Sequence, residues 1–308
     1  MSTIYDVAVV GCGPAGMTAG IYASRAMLKT VLLEKNVVGG LMSLTDKLEN
    51  WPGEDSISGL ELAERMQKQA EKFGCEILYT DIVKIEKDGE LFLLKTGDQS
   101  EIRARSVIYA AGSTPRHANI PGEEEFTGRG VSYCAVCDGA FFRNMKVAVL
   151  GGGDSALKEA LFLTKFASEV VIVHRRSEFR AEKITQEEVR KNPKISFVLD
   201  SVAEKIEGGD FVEKLTVRNV KTSEISTINV DGVFVFLGYN PAVEAVSGIV
   251  KLSEDGRIIT DEKGETNVSG LFAAGDVISK LVNQVSTAVG DGARAAVAAE
   301  HYLASRRG

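Results

Sequence analysis

Cys134 and Cys137 have two residues between them and Asp138 directly after them, and by type and spacing they are best placed to do chemistry. A C-x-x-C pair can close a small disulfide ring and exchange two electrons with an outside dithiol. The carboxyl of Asp138, beside the second sulfur, can supply or take a thiol proton. The alternative for it is a turn residue ahead of Gly139. The pair itself could also be half of a zinc site, or structurally inert. Zinc lacks a second pair, and the three histidines (His117, His174 and His301) are widely spread, so no metal is expected. What favours a redox disulfide is its company.

That company is two glycine turns. Gly11-Cys12-Gly13-Pro14-Ala15-Gly16 interrupts an apolar run, Val7 to Val10, and opens a helix-favouring stretch, 15–28. A strand over 30–33 then ends at Glu34, 18 positions past Gly16. In a strand–turn–helix setting, G-x-G-x-x-G serves a pyrophosphate. The first glycine makes the tight turn, the second admits phosphate to the backbone, and the third lets helix and strand pack closely. The helix amino terminus adds free N–H groups and a positive dipole end, and Glu34 can accept ribose hydroxyls. Gly151, Gly153 and Ala156 form a second such turn, between a strand over 147–150 and a helix running to Ala167. The interval from Gly11 to Glu34 is 23 residues, and Gly151 to His174 repeats it. Here a strand over 170–173 ends in His174-Arg175-Arg176, with Arg180 one turn on. Guanidiniums at that place would bind a 2′-phosphate, which an acidic residue would repel. The second unit is therefore expected to take NADPH, and the first, with its acidic strand end, FAD. A strand over 266–276 is expected to end in Gly275-Asp276, a carboxylate at a strand end of the kind that bonds the FAD ribityl or phosphate region in flavoproteins with two dinucleotide sites.

These turns need a scaffold large enough to hold them. The 308 residues exceed one ordinary core, so two domains are expected. Apolar residues at 44%, charged residues at 26% and only six prolines exclude a disordered or fibrous chain. With a net charge of −7 and no basic stripe, nucleic acid and anionic membrane are poor partners. No apolar run reaches the ~18 residues of a membrane span. The start lacks a signal-peptide pattern, and four cysteines are too few for a secreted framework, so a cytoplasmic protein is expected. Cys12 is expected to pack within its turn and Cys75 to act as a small hydrophobe. An amphipathic helix is predicted over 57–72, short strands over 76–109 and 195–238, and an Ala-rich helix from Gln284 to Leu303.

The motifs GCGPAG (11–16), ENWPG (49–53), CAVCDG (134–139), GGGDSA (151–156), HRRSEFRA (174–181), FAAGD (272–276) and GDGARAA (290–296) together resemble those of the bacterial-type, low-molecular-weight thioredoxin reductases, from end to end of the chain. The resemblance implies an α/β fold of two Rossmann-like dinucleotide-binding domains, the second inserted in the first. An FAD domain would span 1–116 and 245–308, and an NADPH domain carrying the redox pair 117–244. It implies a homodimer that passes electrons from NADPH through FAD to the Cys134–Cys137 disulfide and on to thioredoxin, with the inserted domain rotating between two arrangements. Cys137 would lie nearer the flavin and Cys134 would attack the substrate disulfide. Flavin contacts would fall on Gly11, Gly13, Pro14, Ala15, Gly16, Glu34, Lys35, Gly39, Gly40, Leu41, Met42, Asn50, Ala111, Gly112, Gly275, Asp276, Gln284 and Val285. NADPH contacts would fall on Gly151, Gly153, Asp154, Ser155, Ala156, His174, Arg175, Arg176 and Arg180. Thioredoxin would dock on Arg129, Phe141 and Phe142. Relatives of the same build use ferredoxin as donor or serve a peroxiredoxin system. Leu41, Asn283 and Lys158 depart from the family's usual Gln, Arg and Glu.

Overall fold

A computed structural model describes residues 3–306. The chain forms two compact units, one running to Thr114 and resuming at Pro241, the other Pro115–Asn240. The divisions expected from the resemblance, after residues 116 and 244, fall two and four residues further along the chain.

In the first unit the strands Glu76–Tyr79, Thr30–Glu34, Ile4–Val10 and Glu101–Tyr109 lie side by side in parallel. Leu271–Ala273 joins the far edge of Glu101–Tyr109 in parallel. Leu91–Thr96 and Ile82–Asp88 extend the sheet antiparallel. Every residue of Thr30–Glu34 is buried, as a central parallel strand covered on both faces requires. Helices Pro14–Arg25, Gly59–Lys72 and Val285–Ala304 supply small or apolar faces. The first and last helices approach so closely that a side-chain carbon on Gly292 would overlap the Ala15 carbonyl. Glycine and alanine thus set the spacing, and overpacking there costs about 1–3 kcal/mol.

The second unit repeats the plan with Ile195–Val198, Glu169–Val173, Lys146–Leu150, Gly232–Val235 and Val131–Ser132, all parallel and in that spatial order. Its helices are Asp154–Leu163 and Lys183–Lys191. A separate antiparallel sheet of Ser201–Gly208, Val212–Asn219 and Ile225–Asn229 packs against the parallel one through Ile206, Leu215, Val217 and Val235.

Several elements are shorter than the sequence suggests. The helix expected to reach Ala167 stops at Leu163, and the chain continues in turns, with Asn144 N–H bonded to Phe166 O. The strand expected over 266–276 spans only Leu271–Ala273. Gly270 has a positive φ of 85° and breaks the extended run. The first helix ends at Arg25, and Met27 follows in a left-handed conformation at φ 61°.

Candidate functional site

The first glycine turn owes its shape to contacts on three sides. Gly11 has φ 97°, and a Cβ there would overlap the Ala110 carbonyl; one on Gly16 would overlap Gly11 O. Gly13 differs: its φ is −71°, a Cβ would meet nothing within 4 Å, and no side chain caps the helix that it starts. Open space thus faces uncapped N–H groups, with Pro14 at the first helical position, which is the geometry that accepts a phosphate. Glu34, buried at the strand end, takes the Cys12 N–H on Oε2 at 2.7 Å and the Asn36 N–H on Oε1 at 2.9 Å. Its carboxylate therefore first braces the turn, and only the remaining lone pairs could meet a ribose.

The loop that starts at Gly39 folds over this turn. Gly39 N–H bonds to Cys12 O at 2.8 Å, and a Cβ on Gly40 would come within 3.5 Å of Gly13 Cα. Leu41 is half-buried, while the Met42 side chain turns into the core. Asn50 and Gln284, far apart in sequence, meet through Asn50 Nδ2 donating to Gln284 Oε1 at 3.1 Å. At the start of the last helix the Gln284 N–H donates to Thr287 Oγ1 at 3.1 Å, leaving Val285 as the first helical residue. Gly275, with φ 80°, sits where a Cβ would come within 2.9 Å of Ala15 Cβ. Beside it, Asp276 Oδ1 is buried without a hydrogen-bond partner, with Lys280 Nζ at 3.5 Å. A buried carboxylate oxygen left short of donors suits a ligand hydroxyl. Ala111 and Gly112 line the end of the neighbouring strand, half-buried. Lys35 instead pairs with Asp81 at 2.8 Å on the surface. These residues fit a dinucleotide with an extended polar tail.

Burial pushes both remaining thiols up, Cys75 to about 11 and Cys12 further, with Glu34 adding to the shift at Cys12. Neither is a nucleophile at neutral pH.

The second turn reproduces this arrangement. A Cβ on Gly151 (φ 148°) would overlap Phe236 O, whereas Gly153 is open, exposed and uncapped at the start of its helix. Ser155 is exposed and Ala156 fully buried. Asp154 Oδ1 accepts the Glu182 N–H at 2.7 Å, and Arg180 N–H bonds to Gly152 O at 2.9 Å, tying the arginine-bearing loop to the turn. Arg175, Arg176 and Arg180 are exposed, and among the described residues none pairs with a carboxylate. His174 departs from this group. Its ring is buried over Gly152, where any Cβ would overlap it, and Nε2 lies 3.1 Å from Glu178 O. Burial holds it below the ordinary histidine value, so it enters the fold as a neutral ring. Sequence reasoning missed Gly152, whose need for glycine arises only from that ring. Lys158, one of the departures from the family pattern, lies 3.7 Å from Glu182 across the same turn.

Cys134 and Cys137 are joined as a disulfide with Cα atoms 5.3 Å apart. Cys134 precedes a short helix, Ala135–Asp138, and its Sγ accepts the Cys137 N–H at 3.1 Å. Cys137 is exposed and Cys134 half-buried. Ser132, absent from the sequence expectations, is buried between them and Asp138. Its Oγ lies 2.6 Å from Asp138 Oδ2 and 3.1 Å from the Cys134 N–H that it accepts. Tyr133 OH donates to buried Glu123 at 2.8 Å and meets His117 Nδ1 at 2.7 Å. Of the expected docking aromatics, Phe141 is 77% exposed. Phe142 is buried edge-on against Phe234 over Gly232, where no partner could reach it. Arg129 is exposed and donates to Glu125 O. Among the described residues no group of three metal-ligating side chains occurs.

Two glycine turns of this kind with a C-x-x-C disulfide define a flavin- and nicotinamide-type disulfide oxidoreductase, and the sequence comparisons agree. Residues 5–292 match the family model described as pyridine nucleotide-disulphide oxidoreductase, and the chain belongs to that family. It is 46% identical to a protein named thioredoxin reductase from Peptoclostridium acidaminophilum, with 98% of each chain covered. It is 44% identical to the thioredoxin reductase of Bacillus subtilis (strain 168), over 97% of this chain and 95% of that one. The crystal structure of Lactococcus lactis thioredoxin reductase, in the FR conformation, superimposes with a TM-score of 0.95 at 46% identity, covering 98% of this chain and 99% of the other.

Proposed function

We propose that this chain is a thioredoxin reductase that carries FAD and draws electrons from NADPH. One observation carries the reading: a disulfide flanked by a carboxylate lies in the same unit as a glycine turn with three unpaired guanidiniums. The near full-length similarity to proteins named thioredoxin reductase supports it.

In this reading the 11–16 turn holds the FAD pyrophosphate, Asp276 and the Asn50–Gln284 pair hold its polar tail, and Glu34 its ribose. The 151–156 turn with Arg175, Arg176 and Arg180 holds NADPH and selects it through the 2′-phosphate. Bound FAD would supply the two-electron relay that a thiol pair cannot take directly from a nicotinamide. The protein's own chemistry is then thiol–disulfide exchange. In the reduced pair one thiolate, assigned to Cys134, attacks a sulfur of the thioredoxin disulfide, forming a mixed disulfide and releasing one thioredoxin thiolate. Cys137 attacks Cys134 Sγ, closes the Cys134–Cys137 bond and releases the second. Two electrons and two protons pass to thioredoxin, and in this reading Asp138, next in sequence to Cys137, takes a thiol proton and returns it to a leaving sulfur. Arg129 and Phe141 offer an exposed cation and ring for docking. The reading includes the alternation of the inserted unit between two arrangements, a cytoplasmic location and a homodimer.

The test is steady-state NADPH oxidation by the FAD-loaded protein with a bacterial thioredoxin. Turnover that requires thioredoxin supports the reading. Turnover only with reduced ferredoxin, or none with either donor, overturns it.

A further inference from the structure

The buried hydroxyl of Ser132 has no place in the chemistry so far, yet it touches both ends of the redox motif. Its strand, Val131–Ser132, is held in register by Gly232–Val235, with Ser132 opposite Phe234, so the hydroxyl is fixed by the sheet rather than by a loop. One hydroxyl has one proton to give. Cys134 O, at 3.2 Å, and Asp138 Oδ2, at 2.6 Å, compete for it. The carboxylate oxygen is the closer acceptor, so the hydroxyl donates its hydrogen bond there. The Cys134 N–H donates in turn to Ser132 Oγ at 3.1 Å. The result is a two-bond bridge from the Cys134 backbone through Ser132 to Asp138. It engages Oδ2 and leaves Oδ1 with no hydrogen bond among the described residues.

We infer that Ser132 is a positioning residue for the proton step at the dithiol. It holds the Asp138 carboxylate in one orientation relative to Cys134, so that a single oxygen serves the sulfur pair. This rests on the thioredoxin-reductase reading above and deepens it. When the disulfide is reduced, the S–S bond breaks, two electrons enter and two protons must reach the sulfurs. When the pair reduces an external disulfide, the same two protons leave with the electrons. A carboxylate free to rotate would meet the departing sulfur only part of the time, whereas the bridge fixes the encounter.

The experiment compares Ser132→Ala, Ser132→Thr, Asp138→Asn and the double variant Ser132→Ala/Asp138→Asn with the unaltered FAD-loaded protein, reading kcat and KM for thioredoxin across pH. Losing one charge-assisted contact should lower kcat roughly tenfold in Ser132→Ala, with KM for thioredoxin held. The pH profile should move toward that of Asp138→Asn, and Ser132→Thr, which keeps the hydroxyl, should recover most of the rate. On the Asp138→Asn background Ser132→Ala should cost nothing further, the mark of a residue acting through its neighbour. Flavin content and melting temperature show that each variant folds. An equal loss on both backgrounds, or a loss that scales the whole pH profile without moving it, overturns the inference, as does an unchanged Ser132→Ala. If the unaltered protein fails to turn over thioredoxin, the activity reading has failed. The same cycle is then read on reduction of the Cys134–Cys137 disulfide by dithiothreitol, counted as thiols released, where the same proton is needed and the same outcomes decide.

Discussion

Replacing Gly13 by alanine separates the fold from the ligand more cleanly than any other single change in the first turn. At φ −71° an alanine is unstrained, and its methyl would meet nothing within 4 Å. The protein without nucleotide should therefore gain about 0.4–1 kcal/mol, because the unfolded chain loses freedom while the folded one loses no contact. The same methyl would stand where a pyrophosphate approaches the helix N–H groups. Each charge-assisted contact lengthened or lost is worth about 1.5–3 kcal/mol, so the FAD dissociation constant should rise roughly ten- to hundredfold. Gly11→Ala is the contrast: at φ 97°, with the new carbon overlapping the Ala110 carbonyl, it should cost about 1–3 kcal/mol in the fold itself. In the second unit Gly153→Ala should raise KM for NADPH while flavin content stays normal. Chemical melts of flavin-free protein, flavin-fluorescence titration and steady-state kinetics read the three quantities. Wild-type FAD affinity in a folded Gly13→Ala protein would refute the placement of the pyrophosphate, and a flavin-depleted Gly153→Ala would refute the assignment of the two turns.

Arg175→Ala together with Arg176→Ala should raise KM for NADPH about ten- to hundredfold and that for NADH far less. Equal movement of both constants would mean that the guanidiniums do not read the 2′-phosphate. Cys134→Ser and Cys137→Ser should each abolish thioredoxin reduction while FAD binding survives, since both lie outside the glycine turns; more than a few per cent of residual activity in either would remove the dithiol assignment. Burial lowers the affinity of His174 for a proton below its ordinary value of 6.5, so on acidification the unfolded chain binds that proton first. The His174 contribution to stability is therefore complete above that value and declines as pH falls through and below it. His174→Gln should flatten the melting temperature between about pH 7 and 5.5, and parallel slopes for the two proteins would contradict the buried neutral ring.

Both glycine turns were legible in the sequence because backbone shape needs glycine at fixed offsets from an apolar strand, and such needs are local. The disulfide pair was legible for the same reason. What sequence reading missed depends on contacts made across the fold. Ser132 looks like any strand serine until the turn after it brings Asp138 back to within hydrogen-bond reach. Gly152 needs to be glycine only because the His174 ring packs over it. His174 itself belongs by composition with the arginines beside it, yet its ring turns inward while theirs face solvent. Lys280 carries no motif, and its role in holding Asp276 and Asp291 together depends on where the last helix begins. Phe141 and Phe142 are neighbours in sequence, and only the packing of Phe142 on Phe234 separates the exposed ring from the core one. The short strand Leu271–Ala273 was overestimated because the run 266–276 does not show by itself that Gly270 turns the chain.

In the proposed reaction two electrons from NADPH emerge as one thioredoxin dithiol by way of the Cys134–Cys137 pair. Counting both products in one anaerobic reaction tests it most directly, with NADPH oxidised followed by absorbance and thioredoxin thiols followed by titration. One NADPH should be consumed per thioredoxin disulfide opened, with no thioredoxin thiols formed in Cys134→Ser protein that still binds FAD. NADPH consumption without thioredoxin thiols, or thiols formed at the full rate in the Cys134→Ser protein, would contradict it.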